Sequence, residues 1–457
     1  MVLVLASLFF YAWWDPPFLA LLLVSVVINY GFGVWGCRSR SRTILWFAIA
    51  FNLGLIAYFK YAGFLAATTN DVFGTTLSFG QITLPLAISF FTFQQIAYQV
   101  DVHRGYVRDT DFIHYCLFVT FFPQLIAGPI VHHREVISQF EDRRRFNLSL
   151  DNLSTGAIIF AIGLYKKVVI ADGIAPFADS LFDNPAANPT ALAAWCGTLA
   201  YTMQIYFDFS GYSDMAIGLA RVFGIRLPVN FASPYKAASI IEFWQNWHIT
   251  LSRFLRDYLY IPLGGNRFGD MRRYANLLIT MLLGGLWHGA AWTFVVWGGL
   301  HGALLAVNHL WRKWRGGSSA SSAGRALARA LTFLCVVVGW VFFRAETFDG
   351  ALSVLGGMAG LNGFGNVMNP TGTYDLGIYL WLAVLLAVVW FTPNTQELVS
   401  ERKPALGFSP TGDFEHNPLW KTRSYWLLIF TLSCGFAALL TVVVKETSTQ
   451  DFIYMVF

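Results

Sequence analysis

The chain has 457 residues, 56% of them hydrophobic and only 12% charged, with a mean hydropathy of +0.52. Soluble domains carry about 25% charge, so this composition excludes a soluble globular protein and indicates a polytopic membrane protein. The formal net charge of +5 is modest, so no nucleic-acid partner is expected; membrane lipids are the expected surroundings. The 17 Trp and 19 Tyr suit membrane interfaces. At roughly 20 apolar residues per crossing, about ten to twelve membrane segments are expected. The five cysteines (Cys37, Cys116, Cys196, Cys335 and Cys434) are odd in number and lack metal-ligand spacing, so they are read as core residues without a disulfide framework.

Met1 to Leu5 lacks the basic leader of a secretory signal peptide, so the first apolar run is read as a retained membrane segment. Segments at about 1–14, 18–35 and 44–60 follow, with Arg38, Arg40 and Arg42 marking a cytoplasmic loop. A Thr/Gly-rich loop containing Asp71 is expected after Lys60, facing the other side of the membrane, before 82–100 crosses back. The apolar run 113–131 has basic residues on both flanks and is broken by Pro123, Gly128 and Pro129. Equal charge at both ends of a broken run predicts a re-entrant segment, tolerated only where protein or a water-lined cavity satisfies the backbone. Residues 153–171 cross with Lys166 and Lys167 inside the span, and Asp172, Asp179 and Asp183 are expected in an acidic outer loop.

The run Tyr206 to Asp214 within 191–225 is too polar for a lipid-facing helix and too aromatic for an ordinary loop, which predicts a place inside the bundle. Residues 226–275 carry many arginines and read as a cytoplasmic-facing, partly interfacial region. A helical hairpin, 276–290 and 291–311, comes next, then a flexible cytoplasmic Gly/Ser stretch at 316–324. Segments 330–345 and 378–393, a polar loop at 394–424, a helix at 425–444 and an extracytoplasmic tail at 447–457 complete the chain. No internal repeat or separable soluble domain is visible, so one membrane domain over 1–457 is expected.

The hairpin holds the sharpest signal. Gly285/Gly289 and Gly298/Gly302 are spaced four apart, which lets a neighbouring backbone approach closely in an apolar helix. Among these glycines lie His288 and His301, and an ionisable group at membrane depth is a functional-site hypothesis by default. His288 lies twelve residues, about 18 Å, beyond Asn276, near the middle of a hydrocarbon core of about 30 Å. An imidazole there takes a proton from an attacking hydroxyl and passes it to a leaving group. A structural histidine bonded to a neighbouring helix would look the same in the sequence, and composition does not separate His288 from His301. His248 reads as either interfacial or ligand-facing, and Asp208 and Asp214 as histidine-orienting or helix-capping. The basic loop 253–273 is a positive-inside anchor that would also attract donor phosphates. Gly31 to Gly36 matches GxGxxG without a preceding strand or a following acid, so it is read as packing. No Walker loop, H-E-x-x-H or G-x-S-x-G is present.

Four runs carry a resemblance: Gln204 to Gly218; Glu242-Phe243-Trp244 to Trp247-His248; Arg256-Asp257-Tyr258-Leu259-Tyr260-Ile261-Pro262-Leu263-Gly264-Gly265-Asn266-Arg267; and Gly284 to Gly302. Together they resemble the membrane-bound O-acyltransferase (MBOAT) family, in its bacterial branch of polysaccharide O-acetyltransferases. The resemblance implies an all-α fold, a ring of membrane helices with re-entrant segments around a central tunnel, in the bacterial inner membrane. It implies transfer of an acetyl group from cytoplasmic acetyl-CoA, a substrate rather than a bound cofactor, towards an extracytoplasmic polysaccharide such as alginate or peptidoglycan. The family's catalytic histidine falls on His288, its supporting histidine on His248, and its acyl-carrying tail tyrosine on Tyr454. Asp208, Asp214, Trp247, Arg256, Asp257, Asn266 and Trp287 lie in the matching runs and are the implied substrate-binding residues. A periplasmic SGNH-type transferase is the implied partner. The family usually opens with one further membrane helix, so this chain's start is expected to be alternative or truncated. Its tail has Met455-Val456 where the family tends to have Phe-Gln. A non-catalytic scaffold subunit is the rival reading. An ion-coupled transporter, which would show inverted repeats, has only Lys166-Lys167 in its favour.

Overall fold

Every regular element is a helix among the residues that the computed structural model describes: 1–107, 111–183, 188–316, 321–365, 377–407, 431–438 and 441. The one β-type pairing among the described residues is an isolated bridge between Pro228 and Leu406. Among the described residues, three helical stretches are long and apolar enough to cross a membrane, Pro16–Ser39, Arg42–Phe73 and Ser322–Arg344, and Val2–Trp14 and Gly377–Phe391 are shorter apolar helices. The chain divides into two compact units, with boundaries inside two helices.

The first unit comprises Met1–Ala157, Ala216–Pro228 and Pro404–Gly407. It holds α1 (Val2–Trp14), α2 (Leu19–Ser39), α3 (Arg42–Ile56), α4 (Ala62–Phe73), α5 (Ile88–His103), α6 (Phe112–Thr120), α7 (Phe122–Leu125) and α8 (His133–Glu141). A π-helical turn, Ala57–Tyr61, joins α3 to α4. Lys60 and Asp71 therefore lie on one continuous helical path, and the loop expected to hold Asp71 begins only after Phe73. A Cβ at Gly33 would lie 2.6 Å from the Tyr98 ring and one at Gly36 2.9 Å from Val102, so the GxGxxG run packs α2 onto α5. Buried polar groups bond across the same helices. Asn52 donates to Asn29 (2.6 Å), Gln95 to Ser25 (2.9 Å) and Gln99 to the Asn29 carbonyl (2.7 Å). Such pairing is what burial of amides requires. The broken run behaves as its prolines and glycine predict. The helix stops at Thr120, Pro123 sits in the first turn of α7, and the irregular segment Ile126 to Val131 is buried.

The second unit comprises Ile158–Met215, Val229–Lys403 and Phe408–Phe457. α9 (Leu150–Tyr165) begins in the first unit. It continues through a π-helical segment, Lys166–Ala171, into α10 (Asp172–Phe182). Asp172 and Asp179 are thus helical, and of the three aspartates expected in an acidic outer loop only Asp183 follows the helix, because the wide turn carries the helix past the lysines without ending it. Beyond them lie α11 (Ala191–Val222), α12 (Ile240–Asn246), α13 (Ile249–Leu255), α14 (Gly269–His288), α15 (Trp292–Arg315), α16 (Ser322–Arg344), α17 (Phe348–Met358), α18 (Gly377–Phe391) and α19 (Thr395–Leu398). α17 is an addition to the sequence expectation. Its Thr347 side chain accepts from the Gly350 N–H and caps it. α16 starts inside the expected Gly/Ser linker, capped by Ser321, and 317–320 lie outside the described residues.

The hairpin of α14 and α15 is a backbone-to-backbone contact. A Cβ at Gly285 would run into the Phe294 carbonyl, one at Gly298 into the Met281 carbonyl, and one at Gly302 would lie 3.0 Å from Leu278. Gly289 differs: it is extended and outside the helix, with the Phe294 ring occupying the place of its missing side chain. Close approach of this kind raises dispersion contact where lipid supplies no hydrophobic drive.

Candidate functional site

α14 begins at Gly269, seven residues before Asn276, so His288 stands nineteen residues, about 28 Å, along the helix. That is farther than the sequence spacing suggests. His288 is the last helical residue and is buried. Rings surround it: Trp287 at 4.9 Å, Trp297 at 5.1 Å and Phe343 at 5.1 Å between centroids, all edge to face.

His248 is brought nearby by a different piece of chain. The connection between α12 and α13 is a single tight step in which His248 adopts a left-handed conformation, φ 43° and ψ 53°. This conformation is uncommon for a residue with a Cβ, costs on the order of 1–3 kcal/mol, and clusters at functional sites. The step is held by the strand-like stretch before α12. Ile249 N–H donates to the Asn230 carbonyl (2.9 Å) and Ala232 N–H to the Asn246 carbonyl (3.0 Å). The His248 ring, fully buried, packs edge-on against Phe209 (4.7 Å) and lies 6.2 Å from Trp287. Trp287 therefore touches both histidines, and the two centroid separations bound the imidazoles to within about 11 Å of each other.

Trp247 points the other way, into a cluster with Phe243 (5.6 Å), Tyr235 (6.0 Å) and Trp340 (4.9 Å). His301 belongs to that cluster. Its Nδ1 accepts from the Trp244 indole N–H at 3.3 Å, and Gly339 leaves room for its Nε2 edge. Both hairpin histidines pack against Trp297, at 5.1 and 4.9 Å between centroids, but His301 accepts from Trp244 while His288 shares Trp287 with His248.

Asp208 and Asp214 lie elsewhere, on the face of α11 turned to the π-helical segment. Lys166 pairs with Asp214 at 2.7 Å, and Lys167 with Asp172 at 2.7 Å and Asp208 at 2.9 Å. Thr395 and Gln396 also donate to Asp214, at 2.6 and 2.9 Å. The approach is set by glycine. A Cβ at Gly163 would lie 2.6 Å from the Gly211 carbonyl, and one at Gly211 2.7 Å from the Gly163 carbonyl. A cavity of about 560 Å³ runs beside this cluster, walled by Val169, Ile170, Val384, Leu385 and Val388 and reaching Lys166, Asn394 and Thr395; neither His248 nor His288 lines it.

Arg256 and Asp257 bind one another, Nε to Oδ1 at 2.7 Å and Nη2 to Oδ2 at 3.2 Å, with the arginine 61% exposed. Asn266 is exposed in the turn between Ile261 and Phe268, whose Gly264 and Gly265 have φ of 110° and 56°. Tyr454 lies outside the described residues. Sequence reasoning missed Asn230 and Phe343. For Asn230 the one local signal was an amide between Val229 and Phe231, and nothing near it in the chain names its partner.

A model of the membrane-bound O-acyltransferase family matches residues 106–342, just over half of the chain. The chain belongs to that family. It is 45% identical over 394 residues to a peptidoglycan O-acetyltransferase of Helicobacter pylori, covering 79% of this chain and 74% of the relative. It is equally similar, 45% over 362 residues, to the probable alginate O-acetylase AlgI of Azotobacter vinelandii, covering 76% and 70%. A teichoic acid D-alanyltransferase of Bacillus subtilis is 28% identical over 277 residues, covering 58% and 69%. The protein is therefore an enzyme, an O-acyltransferase embedded in a membrane, and both histidines fall within the family segment.

Proposed function

We propose that this membrane O-acyltransferase takes an acetyl group from acetyl-CoA on the cytoplasmic face and delivers it for O-acetylation of an extracytoplasmic polysaccharide, alginate-like or peptidoglycan. The observation that carries the reading is the pair of buried histidines on either side of Trp287, inside the family segment. In the reaction a hydroxyl oxygen bonds to the thioester carbonyl carbon and the carbon–sulfur bond breaks. His288 takes the hydroxyl proton and returns it to the departing CoA thiolate, so the imidazole ends as it began. His248 positions the reacting groups, with Trp287 as the wall between them. Arg256 and its neighbours supply a positive field for the donor's phosphates, with Asp257 orienting the guanidinium and Asn266 exposed beside it. Asp208 and Asp214 brace α11 through their lysines. Tyr454 is proposed as an acyl relay, a periplasmic SGNH-type transferase as the partner, and the bacterial inner membrane as the location.

The test is purified protein supplied with acetyl-CoA labelled in the acetyl group, following CoA release and label retained on protein. Wild type should release CoA and hold label. Loss of both label and CoA release in Tyr454→Phe supports the relay; label retained in that variant removes it. Failure of folded wild-type protein, with its soluble partner present, to consume acetyl-CoA would overturn the reading.

A further inference from the structure

The amide of Asn230 stands between two parts of the His248 connection. Its Oδ1 receives the Thr250 backbone N–H at 3.3 Å and the Thr250 hydroxyl at 2.8 Å, and it faces His248 Nδ1 at 3.1 Å. Its Nδ2 donates to Ser213 Oγ at 3.1 Å. A backbone N–H can only donate, so the oxygen of the amide, not its nitrogen, must face Thr250 and hence His248. An oxygen there can only accept, so the proton of the neutral imidazole sits on Nδ1 and Nε2 carries the lone pair. His301 is held the opposite way, since its Nδ1 accepts from Trp244.

We infer that Asn230 is the positioning residue of His248 and makes Nε2 a hydrogen-bond acceptor. In that state His248 positions the bound substrates by receiving a hydrogen bond from an N–H or O–H other than the reacting hydroxyl, whose proton goes to His288, and does not donate one to the thioester carbonyl. The inference deepens the acyl-transfer reading and, for its functional half, rests on it. Asn230 also bonds to both residues that follow His248, to Ile249 through its backbone carbonyl and to Thr250 through its side chain, so ring orientation and the backbone leaving His248 are set together.

The test uses the full chain in detergent with ring-¹⁵N histidine, the His248 signals being identified by their absence from His248→Gln. Wild type should show a protonated Nδ1 and a bare Nε2; a proton on Nε2 would overturn the inference before any substrate is added. Asn230→Leu, which removes the acceptor, should redistribute the proton and lower kcat for acetyl transfer about ten- to hundredfold, the scale seen when partners that orient functional histidines are removed, with KM for acetyl-CoA little changed. Asn230→Asp, which keeps an acceptor oxygen, should retain the Nδ1 proton and most of the rate. An Asn230→Leu protein that keeps the wild-type tautomer and kcat would overturn the positioning role. A wild type with the expected tautomer but no acetyl transfer would remove the proposed function while leaving the tautomer assignment standing.

Discussion

At the residue scale, the environment distinguishes the two hairpin histidines. His288 ends α14 against three aromatic rings and shares Trp287 with His248, whereas His301 is bonded to Trp244 in the neighbouring cluster. His288→Gln should therefore reduce acetyl transfer about 10²- to 10⁴-fold, the range general acid–base groups contribute, at unchanged protein abundance. His301→Gln should retain transfer within a few-fold; comparable losses in both variants would remove the distinction. The buried carboxylates make a separate prediction. Asp214 is held by Lys166, Thr395 and Gln396, and removing one partner of a buried pair costs about 3–5 kcal/mol because the other charge stays behind. Asp214→Leu should lower the thermal midpoint of the solubilised protein sharply, and adding Lys166→Met should recover most of the loss. The two histidines and two aspartates were legible as candidates because polar residues stand out in apolar sequence. Which of them share a neighbour was not legible, since Trp287, His248 and Asn230 lie on separate elements.

At the element scale, glycine determines how near two helices come, and nearness determines which side chains meet. Gly298 faces the Met281 carbonyl, with no room for a Cβ. Gly298→Val should force α14 and α15 apart, at a cost of about 1–3 kcal/mol or more from overpacking, read as reduced abundance and a lower midpoint. Gly299→Ala is the control: its Cβ would lie at 3.4 Å from Leu282 and should be tolerated. The hairpin was readable from four-residue glycine spacing because that spacing is a local property of one helix face. The π-helical turns at Ala57–Tyr61 and Lys166–Ala171 were not, because each replaces a regular turn without Pro or Gly to announce it. They explain why two expected loops are helix. They also bring Lys166 and Lys167 to partners on α11, and π-helical turns recur at functional sites.

At the scale of the whole molecule, the composition and the apolar helices make this a membrane protein, and the family makes it an acyltransferase. Under the proposed function, vesicles with the protein inserted in one known orientation should form acetylated acceptor on the side opposite to the acetyl-CoA. Product only on the donor side would leave an acetyltransferase but remove transfer across the membrane. Membrane class, helical character and family were determined by the sequence alone, because hydropathy, glycine spacing and four motif runs are properties of contiguous residues. The tertiary structure alone decided that Lys166 and Lys167 meet Asp214 and Asp208, that His288 and not His301 shares a tryptophan with His248, and that Asn230 meets His248. The physical reason is common to all three. A hydrogen bond or ion pair forms over about 3 Å, and whether residues far apart in the chain come that close depends on how nearly their backbones approach, which is set by Gly163 and Gly211 at the lysines and by the backbone bonds of Asn230 and Ala232 at His248.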